Sequence, residues 1–387
     1  MVFDLSAEGT KREFKVAVER RKPKSWLKTV SAFANTAGGV LVFGVDDEKH
    51  AVIGLSDPQG DTEFITSKIR ERIQPVPVFE ITLIAYEGVK VLELKVRSDM
   101  HTPHYYCGDG RREAYTRIGD RSEKAPHERL NELILRGNNE TYDSLNSGIT
   151  LNEASFTVLK ASYKTATGSE FEESNFASFG LLYRDKPILA NAGALIADEP
   201  LVRHSRVFCT RWNGVNKDDA LDDAEFSGGL LFLLRESTAF VARHNTIAWE
   251  KAPENRVDRP SYARRAITEA LVNALIHRDY LLTGSEINID IYDDRMVISS
   301  PGSMFEGGVL PERPDECEVK SRRRNPILAD LFHRLGLMER RGSGLRRICK
   351  ATINQANFRP EFMPQFSVEN GVFAVTLMDM NYRTPHV

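Results

Sequence analysis

A change of periodicity at Gly38-Gly39 is the feature that most constrains the fold of this 387-residue chain. Before the two glycines, apolar residues such as Val30 and Phe33 recur at helical spacing. After them, residues 40–45 form a continuous apolar run, which is typical of a buried strand. Glycine readily supplies the left-handed conformation that ends a helix. The spacing therefore predicts a helix followed closely by a buried strand, in a mixed α/β unit at the N-terminus.

Composition excludes several classes of protein. A length of 387 residues corresponds to roughly two to three domains of about 150 residues each. Hydrophobic residues make up 41% of the chain, yet no window holds the 18 or more consecutive apolar residues of a membrane helix. The four cysteines lie far apart, without the spacing of a zinc site or a disulfide framework. We therefore expect a cytoplasmic protein with no membrane association.

Charge is balanced overall, with a net value of −3, so contact with nucleic acid must come from local patches. Basic residues concentrate at positions 11–28 and again at positions 320–347. Each patch has two readings, a solvated protein face or a surface for phosphate groups.

Four residues near the N-terminus suggest metal chemistry. The alternation around Phe14 predicts a strand, extending to Val18, that carries Glu13 and Lys15 on one face. Such a strand beside another that ends in an acid, here Asp47, can hold Mg²⁺ or Mn²⁺ against a phosphate group. Lys15 would then offset charge that develops during phosphodiester cleavage. The alternative is that these acids, with Glu8, are unconnected surface residues.

The N-terminal third resembles the Schlafen AlbA-type domain. The similar segments are residues 8–15, 30–39, 43–47, 52–54 and 115–120. In catalytic members, two glutamates five residues apart and a later aspartate form a metal-dependent endoribonuclease site for tRNA or related structured RNA. The resemblance implies that Glu8, Glu13 and Asp47 would be the metal ligands, with RNA favoured over DNA as the partner.

Two departures from the family keep a second reading open. Eukaryotic Schlafens pair two such lobes and carry a His/Cys zinc site, whereas this chain has one lobe and no such cluster. A complete RNA groove would therefore require a homo-oligomer, at least a dimer. Many bacterial members are described only as nucleic-acid-binding or transcriptional-regulator domains.

A second candidate site lies on a predicted helix at residues 263–280. Ile267, Leu271 and their neighbours form an apolar stripe, while Glu269 and Asn273 lie four residues apart on the other side. That side is also flanked by aliphatic residues, and a buried carboxylate requires a partner. Glu269 is therefore either a functional group or a structural acid held by an arginine such as Arg265.

Glycine-containing turns follow this helix. A hairpin predicted at residues 286–300 ends in Ser300-Pro301-Gly302, and Gly342-Ser343-Gly344 precedes another predicted helix. Glycines before a helix allow backbone amides to approach a phosphate group.

In this order, the pieces from residue 260 to residue 377 resemble a GHKL ATPase domain of the version fused to Schlafen AlbA-type domains in bacteria. The resemblance implies that Glu269 would orient the attacking water and that Asn273 would ligate Mg²⁺. Ser300, Gly302 and Gly342-Ser343-Gly344 would contact ATP. Since Ser300-Pro301-Gly302-Ser303-Met304 replaces the usual D-x-G-x-G, the aspartate that reads adenine is missing.

These observations predict an α+β protein with three parts. Residues 1–137 would form a Schlafen AlbA-type lobe, residues 138–256 a connecting α/β module, and residues 257–387 a GHKL (Bergerat-type) α/β sandwich. The leading hypothesis is a metal-dependent endoribonuclease regulated by ATP, which the resemblance links to stress or phage defence. The alternatives are a non-catalytic, ATP-responsive transcriptional regulator that binds nucleic acid, and a scaffold without either chemistry.

Overall fold

The computed structural model describes residues 9–46, 51–251, 256–305, 310–313, 315–316, 323–339 and 344–382. The chain divides into two compact units, residues 1–140 and 141–387. Each unit contains both helices and sheets, so the predicted α+β class is confirmed. None of the helices within the described ranges has both the length and the apolar character needed to cross a membrane.

The N-terminal unit contains ten strands and three helices in its described part. The strands are β1 (Arg12–Lys15), β2 (Gly39–Phe43), β3 (Val45–Asp46), β4 (Ala51–Val52), β5 (Ile73–Gln74), β6 (Phe79–Tyr86), β7 (Val89–Val96), β8 (Tyr105–Gly108), β9 (Arg111–Ile118) and β10 (Arg121–Lys124). The helices are α1 (Lys24–Asn35), α2 (Pro58–Arg72) and α3 (His127–Gly137). One sheet has the order β1-β2-β7-β6, a second has the order β10-β9-β8-β5, and β3 pairs with β4.

Helix α1 is the core element of this unit, because it contacts strands of both four-stranded sheets. Its Trp26, Leu27 and Phe33 are fully buried. Gly38 adopts a φ of 77° just beyond the helix end, as the predicted stop requires. A side chain at Gly39 would lie 2.5 Å from the Phe33 ring. The glycine pair therefore ends the helix and lets β2 pass close to it.

Strand β1 ends at Lys15, three residues earlier than the alternation predicts. It pairs in parallel with β2, and the last pair joins Lys15 to Phe43. Gly44, with a φ of 99°, then turns the neighbouring chain away. Val16 therefore has no partner strand and is 51% exposed.

The C-terminal unit contains ten strands and seven helices in its described part. The strands are β11 (Asn146–Thr150), β12 (Ile188–Ala190), β13 (Arg206–Trp212), β14 (Ala220–Ser227), β15 (Ile247–Lys251), β16 (Arg256–Pro260), β17 (Ile287–Ile291), β18 (Arg295–Pro301), β19 (Gln365–Glu369) and β20 (Val372–Met378). The helices are α4 (Thr157–Thr167), α5 (Glu173–Ser178), α6 (Asn191–Ile196), α7 (Leu230–His244), α8 (Arg264–Ile276), α9 (Pro326–Arg334) and α10 (Gly344–Ile353).

A six-stranded sheet of order β14-β13-β17-β18-β20-β19 forms the centre of this unit. Helix α7 packs against β13 and β14, α8 packs against β18 and α7, and α10 packs against α8. The predicted hairpin is confirmed as the antiparallel pair β17–β18. Helix α8 is buried on both sides, as its mixed pattern indicates, but it ends at Ile276 rather than near Tyr280.

The segment predicted as a separate connecting module contributes two strands to this central sheet. Strand β13 pairs in parallel with β17, with Val207 opposite Ile287. Strand β14 then pairs with β13 at the sheet edge. Residues 141–256 consequently share one hydrophobic core with the residues that follow them. The structure thus has two units where the sequence analysis placed three.

Candidate functional sites

Glu269 lies on α8 and is 8% exposed. Its carboxylate accepts hydrogen bonds from Nη1 of Arg347 on α10, at 3.2 Å to Oε2 and 3.4 Å to Oε1. Burial raises the pKa of Glu269 above its ordinary value, and the positive charge of Arg347 opposes that shift. The arginine partner is therefore Arg347, whereas Arg265 pairs with Glu339 at 3.6 Å.

Asn273 lies one turn further along α8 and is half-buried. Within the described ranges, no hydrogen bond involves its side chain, so the amide oxygen and nitrogen are available to a ligand. Gly344, the first residue of α10, lies directly opposite. A methyl group at Gly344 would lie 2.9 Å from Asn273 Nδ2 and 3.2 Å from Glu269 Oε1. Glycine at this position lets the start of α10 approach both side chains closely, so the three residues form a polar cluster.

The structure thus brings together Glu269, Asn273 and Gly344, three residues singled out from the sequence. Gly342 and Ser343 lie outside the described residues. The cluster combines an amide oxygen, a carboxylate and a helix N-terminus, which are groups that can hold Mg²⁺ and a phosphate group.

Ser300 and Gly302 lie near the C-terminal end of α8 and the loop that follows it. The buried Ser300 hydroxyl donates to the carbonyl oxygen of Ala274 at 2.8 Å, so it ties β18 to the helix. Gly302 has a φ of 121°, and a methyl group there would lie 2.3 Å from Nη1 of Arg324. Arg324 in turn donates to the carbonyl oxygen of His277 at 3.1 Å. The Ser300 hydroxyl is therefore already bonded within the protein.

Residues His277-Arg278-Asp279 form the loop that follows the C-terminal end of α8. Arg278 is fully buried and donates to the carbonyl oxygens of Leu282, at 3.1 Å, and of Ser285. The amide of Asp279 donates to the carbonyl oxygen of Pro301 at 2.7 Å. Desolvation and the charges of Arg324 and Arg323 lower the pKa of His277 to about 4, so this imidazole is neutral at physiological pH.

In the N-terminal unit, Glu13 on β1 is the centre of a buried ion-pair network. Its Oε1 lies 2.8 Å from Lys15 Nζ. Its Oε2 pairs with Nη1 of Arg117 on β9, whose side chain is fully buried. The hydroxyl of Thr29 on α1 donates to Oε2 at 3.0 Å. Glu13 itself is only 6% exposed.

This network limits how Glu13 could bind a divalent metal ion. Glu8 and Asp47 lie outside the described residues, so the three predicted metal ligands cannot be compared as a set. Both oxygens of Glu13 already have cationic partners, and a carboxylate offers about four lone-pair sites. A divalent ion at Oε1 would have to displace Lys15, which is the more exposed partner. Across the described ranges, no three His, Cys, Asp or Glu residues form a group that could hold a metal ion.

Two family models match the chain. Residues 8–126 match the family described as "Schlafen, AlbA_2", a span that includes Glu8, Glu13, Lys15 and Asp47. Residues 284–377 match the HATPase-type family described as "Putative ATP-dependent DNA helicase recG C-terminal". This second match begins after α8, so Glu269 and Asn273 precede it.

Individual proteins are also similar to parts of the chain. The "Uncharacterized ATP-binding protein UU034" of Ureaplasma parvum is 32% identical over 73 residues, which cover 18% of this chain and only 21% of that protein. The crystal structure of DIP2311 from Corynebacterium diphtheriae aligns with 96% of this chain and 75% of its own, with a TM-score of 0.52 and 20% identity, and so shares the fold.

A solution structure of the N-terminal domain of a "Putative ATP-dependent DNA Helicase RecG-related Protein" from Nitrosomonas europaea is 28% identical. The aligned region covers 30% of this chain and 84% of the Nitrosomonas europaea domain, with a TM-score of 0.24. The chain is therefore similar to the Schlafen AlbA_2 family over residues 8–126 and to the HATPase-type family over residues 284–377.

Proposed function

We propose that this protein is an ATP-responsive, nucleic-acid-binding protein, in which the C-terminal unit binds Mg·ATP and the N-terminal unit binds nucleic acid. The observation that carries the proposal is the convergence of Glu269, Asn273 and Gly344 at the start of α10. The relative named as an ATP-binding protein and the HATPase-type match support the same assignment.

In this proposal each predicted residue of the nucleotide site has a separate role. The side-chain oxygen of Asn273 ligates Mg²⁺, because that side chain has no protein partner in the described structure. Gly342-Ser343-Gly344 contact the phosphate groups, since glycine lets the backbone approach them. Gly302 and the backbone at Ser300 contact the nucleoside. Glu269 orients the water that attacks the γ-phosphate, and its raised pKa suits a group that must accept a proton.

Turnover tests the role of Glu269. Glu269→Gln keeps the size and the hydrogen-bonding oxygen but cannot accept the proton. We expect wild-type affinity for Mg·ATP and a loss of at least about a hundredfold in phosphate release, which is the usual contribution of a general base. Glu339→Gln, which changes another acid paired with Arg347, is the matched control and should retain turnover. Wild-type phosphate release by Glu269→Gln would remove this role.

For the N-terminal unit, the finer proposal is metal-dependent cleavage of tRNA or another structured RNA. Glu8, Glu13 and Asp47 would hold Mg²⁺ or Mn²⁺, and the displaced Lys15 would stabilise charge on the phosphate group. The match to the Schlafen AlbA_2 family supports this proposal. The competing proposal, a non-catalytic transcriptional regulator, is favoured by the fact that Lys15, Arg117 and Thr29 already occupy the Glu13 carboxylate.

Incubation with total tRNA separates the two proposals. Wild-type protein with Mn²⁺ or Mg²⁺ is compared with Glu8→Gln and Asp47→Asn, which leave the Glu13 network intact. The nuclease proposal predicts cleavage that both substitutions reduce at least about a hundredfold, since each removes a metal ligand. If all three proteins bound tRNA equally, apart from the effect of charge, and none cleaved it, the result would support the proposal of a non-catalytic regulator. Equal cleavage in all three would contradict the metal site.

A further inference from the structure

The basic segment of residues 11–28 separates into neutralised and unneutralised cations. Lys15 pairs with Glu13, and Arg20 pairs with Asp61 at 2.8 Å. In contrast, Lys28 has no carboxylate partner within the described ranges, and neither do Arg21 and Lys22. The segment is therefore not a uniformly charged face, and its free positive charge is concentrated at its C-terminal half.

These unpaired cations line a cleft of about 640 Å³ that three separate elements build. The start of α1 and the residues before it form one wall, the end of α2 forms another, and the turn between β8 and β9 closes the third side. The charged lining consists of five cations and one acid: Arg21, Lys22, Lys24, Lys28, Arg72 and Asp109. Lys24 pairs with Glu113 at 3.1 Å and Arg72 with Glu71 at 2.9 Å, so the other three cations carry the unneutralised charge.

Lys24 and Lys28 lie near the N-terminus of α1, where the helix dipole disfavours positive charge. The N-terminus of a helix carries partial positive charge and favours acids. The first turn of α1 contains no acid, and Lys24 and Lys28 lie one turn apart on the same face. Like charges at this spacing destabilise a helix, and only Lys24 of the two has a carboxylate partner in the described structure, Glu113 at 3.1 Å. An anion in the cleft would reverse both effects, because it would be attracted to the lysines and to the helix terminus.

The rest of the cleft is preformed and contains an unused hydrogen-bonding group. Tyr106 is buried, and its hydroxyl donates to Asp109 Oδ2 at 3.1 Å. A methyl group at Gly108 would lie 2.5 Å from the Tyr106 hydroxyl and 2.8 Å from Arg72 Nη1, so the wall is closely packed. The buried Oγ of Ser25 has no hydrogen-bond partner in the described structure.

We propose that this cleft binds the phosphate groups of a nucleic-acid strand. Its cations come from two helices and the preceding loop, so they can neutralise more than one phosphate group along a backbone. The inference rests on the proposed nucleic-acid binding and deepens it by locating the phosphate contacts. It also separates binding from the Glu13 network, since neither Glu13 nor Lys15 lines the cleft.

Binding of a fluorescent single-stranded RNA, measured at several salt concentrations, tests the location. Lys28→Gln and Arg21→Gln each remove one cation from the cleft. We expect each to weaken binding about tenfold and to reduce the slope of log affinity against log salt by about 0.7 to 1. Lys11→Gln removes the same charge from the same basic segment but outside the cleft, and should weaken binding less than twofold.

Thermal unfolding confirms that the variants fold, and Arg21 is exposed, so its substitution leaves the core unchanged. Equal losses in Lys11→Gln and Lys28→Gln would overturn the cleft as the site while leaving nucleic-acid binding intact. If millimolar inorganic phosphate displaced the RNA at matched ionic strength, the cleft would be a site for a small phosphate ligand, and the proposal that it binds a nucleic-acid strand would be contradicted. Absence of RNA binding by wild-type protein would refute both this inference and the proposed function.

Discussion

Glu13 and Arg117 illustrate how a residue chosen for its chemistry can also support the fold. Their ion pair joins β1 to β9 across a sequence separation of 104 residues, in an interior where Arg117 has no exposure. A buried cation that loses its carboxylate keeps the cost of desolvation without the compensating attraction. The pair therefore has consequences for stability that do not depend on any metal.

We predict that Glu13→Ala lowers the free energy of unfolding of the N-terminal unit by about 3–5 kcal/mol, the usual effect of breaking a buried ion pair. Lys15→Ala should cost less than about 1 kcal/mol, because Lys15 is partly solvated. Urea denaturation followed by tryptophan fluorescence measures both, since Trp26 is buried in this unit. Equal, small losses of stability in the two variants would show that the buried Arg117 side chain does not require its ion pair with Glu13.

At the residue scale, sequence patterns identified side chains but not their partners. Glu269 and Asn273 were recognisable from their spacing among aliphatic residues. The arginine that contacts Glu269 lies 78 residues away, and nothing local distinguishes it from the neighbouring basic residues. Such partners depend on how α8 and α10 pack, which is a property of the folded chain.

At the scale of elements, Asp143 supports the start of α9. This buried carboxylate, in the 3₁₀ turn Tyr142–Ser144, accepts hydrogen bonds from the amides of Ile327 at 2.7 Å and Leu328 at 3.1 Å. It supplies a cap that α9 lacks locally, since the side chain of Asn325 makes no capping bond. Burial is the largest influence on Asp143 and raises its pKa to about 6.

The raised pKa predicts a pH dependence of stability. The folded-state pKa lies above the ordinary value of 3.8, so the contribution of Asp143 is fully present below pH 3.8 and is lost as the pH rises through about 6. The loss corresponds to roughly 3 kcal/mol for a shift of this size.

The variant Asp143→Asn keeps an oxygen acceptor and does not titrate. The stability of wild type relative to Asp143→Asn should therefore fall between about pH 4 and pH 6, as measured by urea denaturation at each pH. Parallel pH profiles for the two proteins would contradict a buried, titrating Asp143.

Elements with strong local signals were predictable, and those defined by distant pairing were not. The helix before Gly38-Gly39 and the β17–β18 hairpin follow from periodicity and glycine placement. The place of strand β13 beside β17 depends on distant pairing, because Val207 lies opposite Ile287. Helix α2 has little apolar periodicity and was missed.

At the scale of the whole molecule, residues 8–126 match the Schlafen AlbA_2 family and residues 284–377 match the HATPase-type family, and the two spans lie in different compact units. The sequence suggested three parts because residues 138–256 carry weak motifs. Those residues nevertheless supply two strands of the central sheet. Residues with few recognisable motifs therefore complete the central sheet of the C-terminal unit, and a variant that lacks residues 1–256 would lose two of its strands.

Isothermal titration calorimetry of the 387-residue protein tests the proposal that α8 and α10 form a Mg·ATP site. Mg·ATP is titrated into wild type, Asn273→Ala and the control Asn288→Ala, which changes a half-buried asparagine on β17. We expect saturable binding by wild type and Asn288→Ala, and at least a hundredfold weaker binding by Asn273→Ala with unchanged thermal unfolding. Equal affinity of wild type and Asn273→Ala for Mg·ATP would contradict this proposal.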